Sequence, residues 1–478
     1  MASESFRVGR SRLRGGDRLR AGDTPVSPGF EDLTAFALTT QGLRFTGGPK
    51  MNALARCAVT PTCFPAEDPI RPLRDLFDGD LGSMFRFAEP SDLSRIDADL
   101  SMIGGGNGVD ATDADYWTVG VGSVLEAANT EIKTQGTLKL LSDPTAKGNV
   151  GFYQDIPCCA KEILKASANL YAPGGAGDEA QVTIQNIANG HYLTSAGTWS
   201  ATPVILWSHN AGTVEENELV FRVQTLEECN GYPEPVLRFR CNKPTGSDPL
   251  EPVFFDNLGL WPAIGFFGAW WNNMDEIQAP TTINDYGSKT GQWSGEQVLL
   301  SSVTPKRGVT FFDYSEDPQA FRFHRITIDS GGYETEEPIE FAEMVLGYLQ
   351  ELSTTRPQGP LLGFQVEPRF PQARFSNAAG ATKVYREIDH SIRKVSMEFF
   401  MKDEDELRAL RDRMHGAVRG GAYPSILVHT DGGRMGTDFC VFGRFEDNLP
   451  TTWPGTGAPG KLYVRGSIVL NEEPGPLS

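Results

Sequence analysis

The chain has 478 residues, of which 39% are apolar and 22% charged, which excludes global disorder and suggests about three domains. Its net charge of −19 argues against nucleic-acid binding, because an acidic surface repels phosphate backbones. The sequence has no run of 18 apolar residues and no apolar stretch behind its basic N-terminus, so we expect neither a membrane span nor a signal peptide.

The seven cysteines include no Cys-x-x-Cys pair and no cluster with zinc spacing. The adjacent Cys158 and Cys159 cannot bridge each other without strain, whereas Cys57 and Cys63 could meet across a hairpin. We expect most of the cysteines to be reduced thiols that pack as small apolar groups, as in a protein assembled in a reducing cytoplasm.

Residues 1–45 are predicted to form an extended, basic N-terminal arm. Two interpretations fit such a segment on an acidic chain: a solvated, disordered terminus, or an arm that docks on an acidic neighbour such as another copy of the chain. The arginines of the arm are Arg7, Arg10, Arg12, Arg14, Arg18 and Arg20.

Short strands and turns are predicted for residues 46–102. Asp78 and Asp80 lie in an Asp-Gly turn, where they either help to hold a calcium ion or, more often, bond to their own backbone. The glycine-rich segment 104–108 does not follow the G-x-G-x-x-G spacing, so we interpret it as a flexible joint and not as a phosphate-binding loop.

Residues 103–261 are predicted to form a second β-rich module, because short strand-like segments bounded by Gly, Pro, Asn or Asp recur along them. This spacing is typical of a β-sandwich or jelly roll. The predicted strands are 116–121, 136–141, 151–156, 163–171, 180–185, 202–207, 218–223, 236–241 and 253–260.

A different β pattern occupies residues 262–352. Segment 264–271 is almost entirely apolar, which predicts a buried strand, and 321–328 alternates strictly, as a sandwich strand does. A linker with Ser, Thr, Pro and Gly follows at 353–360.

The last domain is predicted at residues 361–478. It combines a long strand at 388–400, an amphipathic helix at 403–415 and three further strands. This order suggests a small β-barrel or sheet with one packed helix.

The segments on either side of the second module resemble parts of one discoidin-like, galactose-binding-like sandwich. The resemblance includes an Asp-Gly turn, a Ser-x-x-Gly-x-Trp turn and an aromatic-Arg-x-x-Arg-Ile strand. It implies one sandwich split between 46–102 and 262–352 and interrupted by 103–261. The matching stretches are 75–80, 96–100, 265–274, 288–293, 321–328 and 339–347.

The interrupting module is similar to carbohydrate-binding-type jelly rolls at 138–143, 152–156 and 255–261. Residues 361–478 resemble the barrel-plus-helix domains of phage distal-tail and baseplate proteins, at 386–400, 403–415 and 425–430. The predicted fold is therefore mainly β and multi-domain, with two β-sandwich modules, one nested in the other, and a C-terminal β-barrel-like domain with one packed helix.

These resemblances imply a non-enzymatic structural protein of a siphophage-type tail tip or baseplate. We expect it to form a ring with copies of itself, to contact tail-tube and hub proteins, and to reach the virion after assembly in the host cytoplasm. Neither a cofactor nor nucleic acid is expected.

The alternative is a glycan-binding adhesin for host attachment, since both sandwich types often carry sugar sites. Trp199 and Trp207 are its candidate glycan contacts, because an exposed indole can stack on a sugar ring. Trp261, Trp270 and Trp271 lie in apolar strands and are expected in a core or interface.

A polysaccharide depolymerase is the weakest alternative. The six histidines form no His-x-x-x-His or His-Glu-x-x-His motif, and no Gly-x-Ser-x-Gly motif occurs. Glycoside cleavage would need paired carboxylates, for which Asp113 with Asp115, or Glu336 with Glu337, are candidates. Solvated loop acids explain such pairs more often in an acidic chain.

Overall fold

The chain is mainly β, as predicted, and the described residues form antiparallel sheets with only short helices. None of the described helices is long and apolar enough to cross a membrane. The computed structural model describes residues 43–47, 51–56, 62–64, 73–86, 93–134, 136–142, 150–159, 161–174, 179–225, 228–229, 235–244, 251–271, 282–289, 293, 297–303, 309–313, 318–329, 340–351, 361–369, 372–376, 382–386, 392–401, 422–429, 440–446, 451–452 and 464–473.

Several predictions fall outside these residues. They include the six arginines of the arm, the contact of Cys57 with Cys63, the linker at 353–360, the helix at 403–415 and the pair Glu336 and Glu337.

The helices and strands follow in chain order. The first part of the chain forms β1 Leu43–Gly47, α1 Ala53–Arg56, β2 Thr62–Phe64, a 3-10 helix Leu73–Leu76, β3 Phe85–Arg86, β4 Leu93–Asp99, a second 3-10 helix Ala111–Tyr116, β5 Thr118–Val119, β6 Ser123–Asn129, β7 Thr137–Ser142, β8 Val150–Pro157, β9 Ile163–Tyr171, β10 Ala180–Asn186, β11 Tyr192–Leu193, β12 Trp199–Ser200, β13 Trp207–His209, β14 Glu215–Arg222, β15 Val236–Lys243 and β16 Val253–Pro262. The rest forms β17 Phe266–Trp271, β18 Thr282–Ser288, β19 Gln297–Val303, β20 Val309–Asp313, β21 Phe323–Asp329, β22 Glu340–Gly347, β23 Gln350–Glu351, β24 Leu361–Arg369, β25 Gln372–Ser376, β26 Thr382–Arg386, β27 Ile392–Met401, β28 Ser425–His429, β29 Cys440–Phe445, β30 Thr451–Thr452 and β31 Val464–Glu472.

The chain divides into two compact units, one of residues 50–348 and one of residues 1–49 with 349–477. In the first unit, strands from before and after the 103–261 segment pair with each other. They form two antiparallel sheets, ordered β20-β17-β22-β3 and β19-β18-β21-β4-β2, which we call the flanking sandwich. Its buried core includes Phe85, Ile96, Phe267, Ile326 and Phe341.

The strands between β4 and β17 form a second pair of sheets in the same unit, which we call the central module. Its seven-stranded sheet has the order β12-β11-β10-β15-β8-β5, with β13 also paired to β10, and its five-stranded sheet has the order β14-β9-β16-β7-β6. The core between the sheets includes Leu140, Phe152, Leu164, Phe239 and Leu260. On β15, the buried Leu237 and Phe239 alternate with half-buried residues, as the two-residue period of a strand requires.

The chain enters and leaves the central module side by side. The Met102 N–H donates to the Leu260 carbonyl at 2.8 Å, and the Leu258 N–H donates to the Gly106 carbonyl at 2.9 Å. Adjacent ends are what an insertion into a loop requires. Trp261, at the exit, is buried in the core of the flanking sandwich and donates Nε1 to a backbone carbonyl at 3.1 Å.

The second unit contains a sheet ordered β23-β1-β28-β29-β31-β27-β24, with β30 paired to β31, and a hairpin of β25 and β26. Ile426, Val441, Phe442 and Leu470 are buried in it. Strand β1 pairs with β28 over its whole length and crosses the boundary that the sequence placed at residue 45.

Candidate functional site

The seven-stranded sheet has one face in the core of the central module and the other turned away from it. On β8, Phe152 enters the core and Tyr153 lies on the opposite face. Tyr153 pairs directly with Arg240 of β15, and Arg240 pairs with Thr183 of β10. Directly opposed residues of neighbouring strands share a face, so these three side chains form a row across the sheet.

A second row runs beside the first. It consists of Asp155 on β8, Arg238 on β15, Gln185 on β10 and Tyr192 on β11, each paired with the next. Tyr153 and Tyr192 stand three strand spacings apart, roughly 14 Å across the sheet. We call this surface the tyrosine face, and its residues are Tyr153, Asp155, Thr183, Gln185, Tyr192, Arg238 and Arg240.

Tyr153 is held in place by its neighbours. Arg238 donates Nε and Nη2 to the two carboxylate oxygens of Asp155 at 2.7 and 2.8 Å, and this hydrogen bonding raises the pKa of Arg238. The guanidinium Cζ lies 4.2 Å from the centre of the Tyr153 ring. One ring face of Tyr153 is therefore covered by Arg238, and a ligand would stack on the other.

The tyrosine face combines aromatic rings with amide, hydroxyl and guanidinium groups. Gln185, Thr183 and both tyrosines are half-buried, so the face remains open to solvent in part. Aromatic rings that stack and polar groups that bond hydroxyls are the two elements of sugar recognition.

Trp199 and Trp207 lie on the core side of the same sheet. Trp199 pairs with Leu193, whose side chain is buried, and packs edge-on against Phe221 with ring centres 6.0 Å apart. Its Nε1 donates to the Arg222 carbonyl at 2.9 Å, and Trp207 also packs against the core. Glycan contact by these tryptophans stays a prediction. The tyrosine face is a separate surface, and its residues were not among the predicted glycan contacts.

Asp78 and Asp80 lie in a turn whose backbone they bond. Asp78 Oδ1 accepts from the Asp80 N–H at 2.9 Å, Asp80 Oδ1 accepts from the Gly82 N–H at 2.8 Å, and the Ser83 hydroxyl donates to Asp78 at 2.8 Å. Among the described residues, no group of three His, Cys, Asp or Glu side chains could hold a metal ion. In these contacts Asp78 and Asp80 bond the backbone of their own turn, which was the commoner of the two interpretations, the other being a calcium site.

A buried carboxylate lies beneath this turn. Glu343 of β22 has no exposed surface, and it accepts from the Gly79 N–H at 3.0 Å and from Asn52 Nδ2 at 3.2 Å. Burial raises the pKa of Glu343 well above its ordinary 4.5, and Asp78 and Asp80 raise it further, against the effect of the two hydrogen bonds.

The native chain is expected to become less stable as the pH rises, because Glu343 is buried. Replacing Glu343 with glutamine should abolish this part of the pH dependence of the free energy of unfolding. Because the folded state keeps a proton that the unfolded state releases above about pH 4.5, stability falls from that pH upward until the folded group also ionises. In urea unfolding, the free energy of unfolding of Glu343→Gln should therefore rise relative to that of the native chain as the pH increases above about 4.5. Glu216→Gln, an exposed position on β14, is the control. Parallel pH curves for Glu343→Gln and the native chain would contradict the assignment.

The candidate carboxylate pair of the central module lies in its 3-10 helix. Asp113 Oδ2 accepts from the Asp110 N–H at 3.0 Å and caps this helix, while Asp115 is exposed. The Asp113 carboxylate is thus engaged in a helix-capping hydrogen bond.

No protein-family model and no curated protein sequence matches the chain. The chain has distant structural similarity to the xylan-binding domain CBM22-1 of Xyn10C from Paenibacillus barcinonensis, at 11% identity and a TM-score of 0.22, covering 30% of this chain and 85% of that one. A CBM4 structure gives 10% identity and a TM-score of 0.20 over 33% and 88%. The enzymatically active domain of bacteriophage CBA120 tailspike protein 4 gives 15% identity and a TM-score of 0.22 over 34% and 21%. At these scores the similarities assign neither a family nor a function.

Proposed function

We propose that the central module binds a glycan on the tyrosine face. The observation that carries this proposal is the row pairing that places two tyrosines, an amide, a hydroxyl and two arginines on one partly open sheet face. Residues in this arrangement stand on strands whose other face is packed in the core, so their positions are fixed before a ligand arrives. Such preorganisation lowers the entropic cost of binding.

The spacing of the two tyrosines favours an oligosaccharide over a single sugar. A monosaccharide stacked on Tyr153 would not reach Tyr192 across roughly 14 Å, which is three strand spacings. A chain of several sugars would contact both rings and the polar groups of Thr183 and Gln185 between them.

The double variant Tyr153→Ala/Tyr192→Ala is expected to lower glycan affinity by about tenfold or more, because truncating aromatic anchors removes most of the stacking area. The measurement is a glycan array with the full chain, followed by calorimetric titration of the oligosaccharides that bind. Tyr116→Ala is the matched control, since Tyr116 is 59% exposed and lies outside the tyrosine face. Unchanged affinity in the double variant, or no binding by the native chain, would contradict the proposal.

We also propose that the chain is a non-enzymatic structural component of a phage tail tip or baseplate, present in the virion as a ring with copies of itself and in contact with tail-tube and hub proteins. This rests on the resemblance of residues 361–478 to distal-tail domains, and β27 and β28 lie within or beside the resembling stretches. The galactose-binding-like identity of the flanking sandwich, the jelly-roll identity of the central module and the docking of the arginine-rich arm belong to the same proposal.

Cryo-electron microscopy of virions tests the tail-tip proposal and should locate the chain in a ring at the tail tip. A chain that is found only as a free monomer and is absent from virions would contradict the proposal.

A further inference from the structure

Arg240 stands in the centre of the tyrosine face, between Tyr153 on one neighbouring strand and Thr183 on the other. Its side chain is half-buried. Within the described part of the chain it has neither a hydrogen-bond partner nor an ion-pair partner. A guanidinium carries five N–H donors and a permanent charge, so partial burial without a partner leaves strong donors unused.

The other half-buried arginines with described side chains all pair with carboxylates. Examples are Arg238 with Asp155 at 2.7 Å and Arg322 with Asp99 at 2.7 Å. The same holds for Arg86, Arg95, Arg325, Arg393 and Arg444. Arg240 is therefore an exception in a chain whose net charge is −19 and which has many carboxylates to offer.

The polar neighbours of Arg240 are already engaged with other groups. Both oxygens of Asp155, the nearest acid on β8, accept from Arg238. Asn242, two residues along β15, donates to Gln181 at 2.8 Å. On the tyrosine face, the charges of Asp155 and Arg238 are thus paired with each other, and the Arg240 charge is left for a ligand.

We infer that the tyrosine face selects an acidic oligosaccharide, in which Arg240 binds the carboxylate of a uronic-acid residue while the tyrosines stack on the sugar rings. The planar guanidinium fork matches a carboxylate with two parallel hydrogen bonds, and such charge-assisted bonds are stronger than bonds to neutral hydroxyls. This inference rests on the proposed glycan binding and names its ligand class.

The test uses the full chain and matched pairs of oligosaccharides. Uronate oligomers of several backbones, including oligogalacturonate, alginate and hyaluronan, are compared with the same oligomers after reduction of their carboxylates to alcohols. The native chain should bind at least one uronate about tenfold or more tightly than its reduced form, as expected for charge-assisted bonds. Arg240→Gln should abolish that preference, and added salt should weaken it.

Arg222→Gln is the matched control. Arg222 is exposed on β14 of the other sheet, so its replacement should leave the preference for uronate unchanged. Equal or tighter binding of the reduced oligomers by the native chain would overturn the inference while leaving the proposed glycan binding intact. A preference for uronate that survives Arg240→Gln would overturn the role of Arg240, and failure to bind either form would overturn both the inference and the proposed function.

Discussion

Replacing His324 with leucine is expected to destabilise the flanking sandwich by roughly 3–5 kcal/mol, the cost of removing one partner of a buried hydrogen-bonded pair. His324 on β21 and Asp285 on β18 both have no exposed surface. The imidazole Nδ1 lies 3.1 and 3.3 Å from the two carboxylate oxygens of Asp285. Leucine removes this hydrogen-bond donor and leaves the Asp285 carboxylate in an apolar core. Urea unfolding of the full chain measures the loss.

The double variant Asp285→Leu/His324→Leu is the control for this prediction. It removes both polar groups together, and replacing a buried pair by apolar side chains of similar volume is often nearly neutral. His324 Nε2 has no hydrogen-bond partner among the described residues, so the native pair already leaves one buried polar atom unsatisfied. If the double variant is as unstable as His324→Leu, the loss of stability comes from the different shape of the leucine side chain and not from an unpaired Asp285.

Replacing Phe152 with alanine is expected to destabilise the central module by about 3–5 kcal/mol, the usual cost of truncating a large buried side chain. Phe152 has no exposed surface and meets Trp117 and Phe255 edge-on, with ring centres 4.8 and 5.3 Å away. Alanine would remove both contacts and leave a cavity between the two sheets. Because Tyr153 stands next to Phe152 on β8, glycan binding should weaken as the module loosens.

Val119→Ala is the matched control for Phe152→Ala. Val119 pairs with Phe152 on the edge strand β5 but is 40% exposed, so its truncation should change stability by no more than about 0.5 kcal/mol. Thermal unfolding of both variants should separate them clearly. A loss of less than about 1 kcal/mol for Phe152→Ala would contradict its place in the core.

Local patterns predicted many strands of the central module. The segment 163–171 is the strand Ile163–Tyr171, and the predictions for 151–156 and 236–241 lie within β8 and β15. These strands carry runs of apolar or alternating residues bounded by turn formers, which makes their period visible.

Other elements were missed for physical reasons. A strand was predicted at 116–121, but residues 111–116 form a 3-10 helix capped by Asp113, and only Thr118–Val119 is a strand. The strand Ser123–Asn129 was not predicted because it lies at a sheet edge, where none of its residues is buried enough to mark an apolar face. Pairing across the insertion, as between β4 and β21, depends on contacts between residues more than 200 positions apart.

The candidate site was harder to predict than the strands. Trp199 and Trp207 were the predicted sugar contacts, and in the structure both pack against the core. Tyr153 and Arg240 gave a weaker signal, since only the register of β8 against β15 brings them together. No local pattern in the sequence states which strands are neighbours.

Side-chain footprinting tests the central claim most directly, because it distinguishes the two surfaces at residue level. The full chain would be labelled with and without the tightest oligosaccharide from the glycan array. Glycan binding on the tyrosine face predicts that Tyr153 and Tyr192 are protected, while Tyr116, Trp199 and Trp207 keep their labelling. Protection of Trp199 and Trp207 with unchanged labelling of Tyr153 and Tyr192 would contradict it.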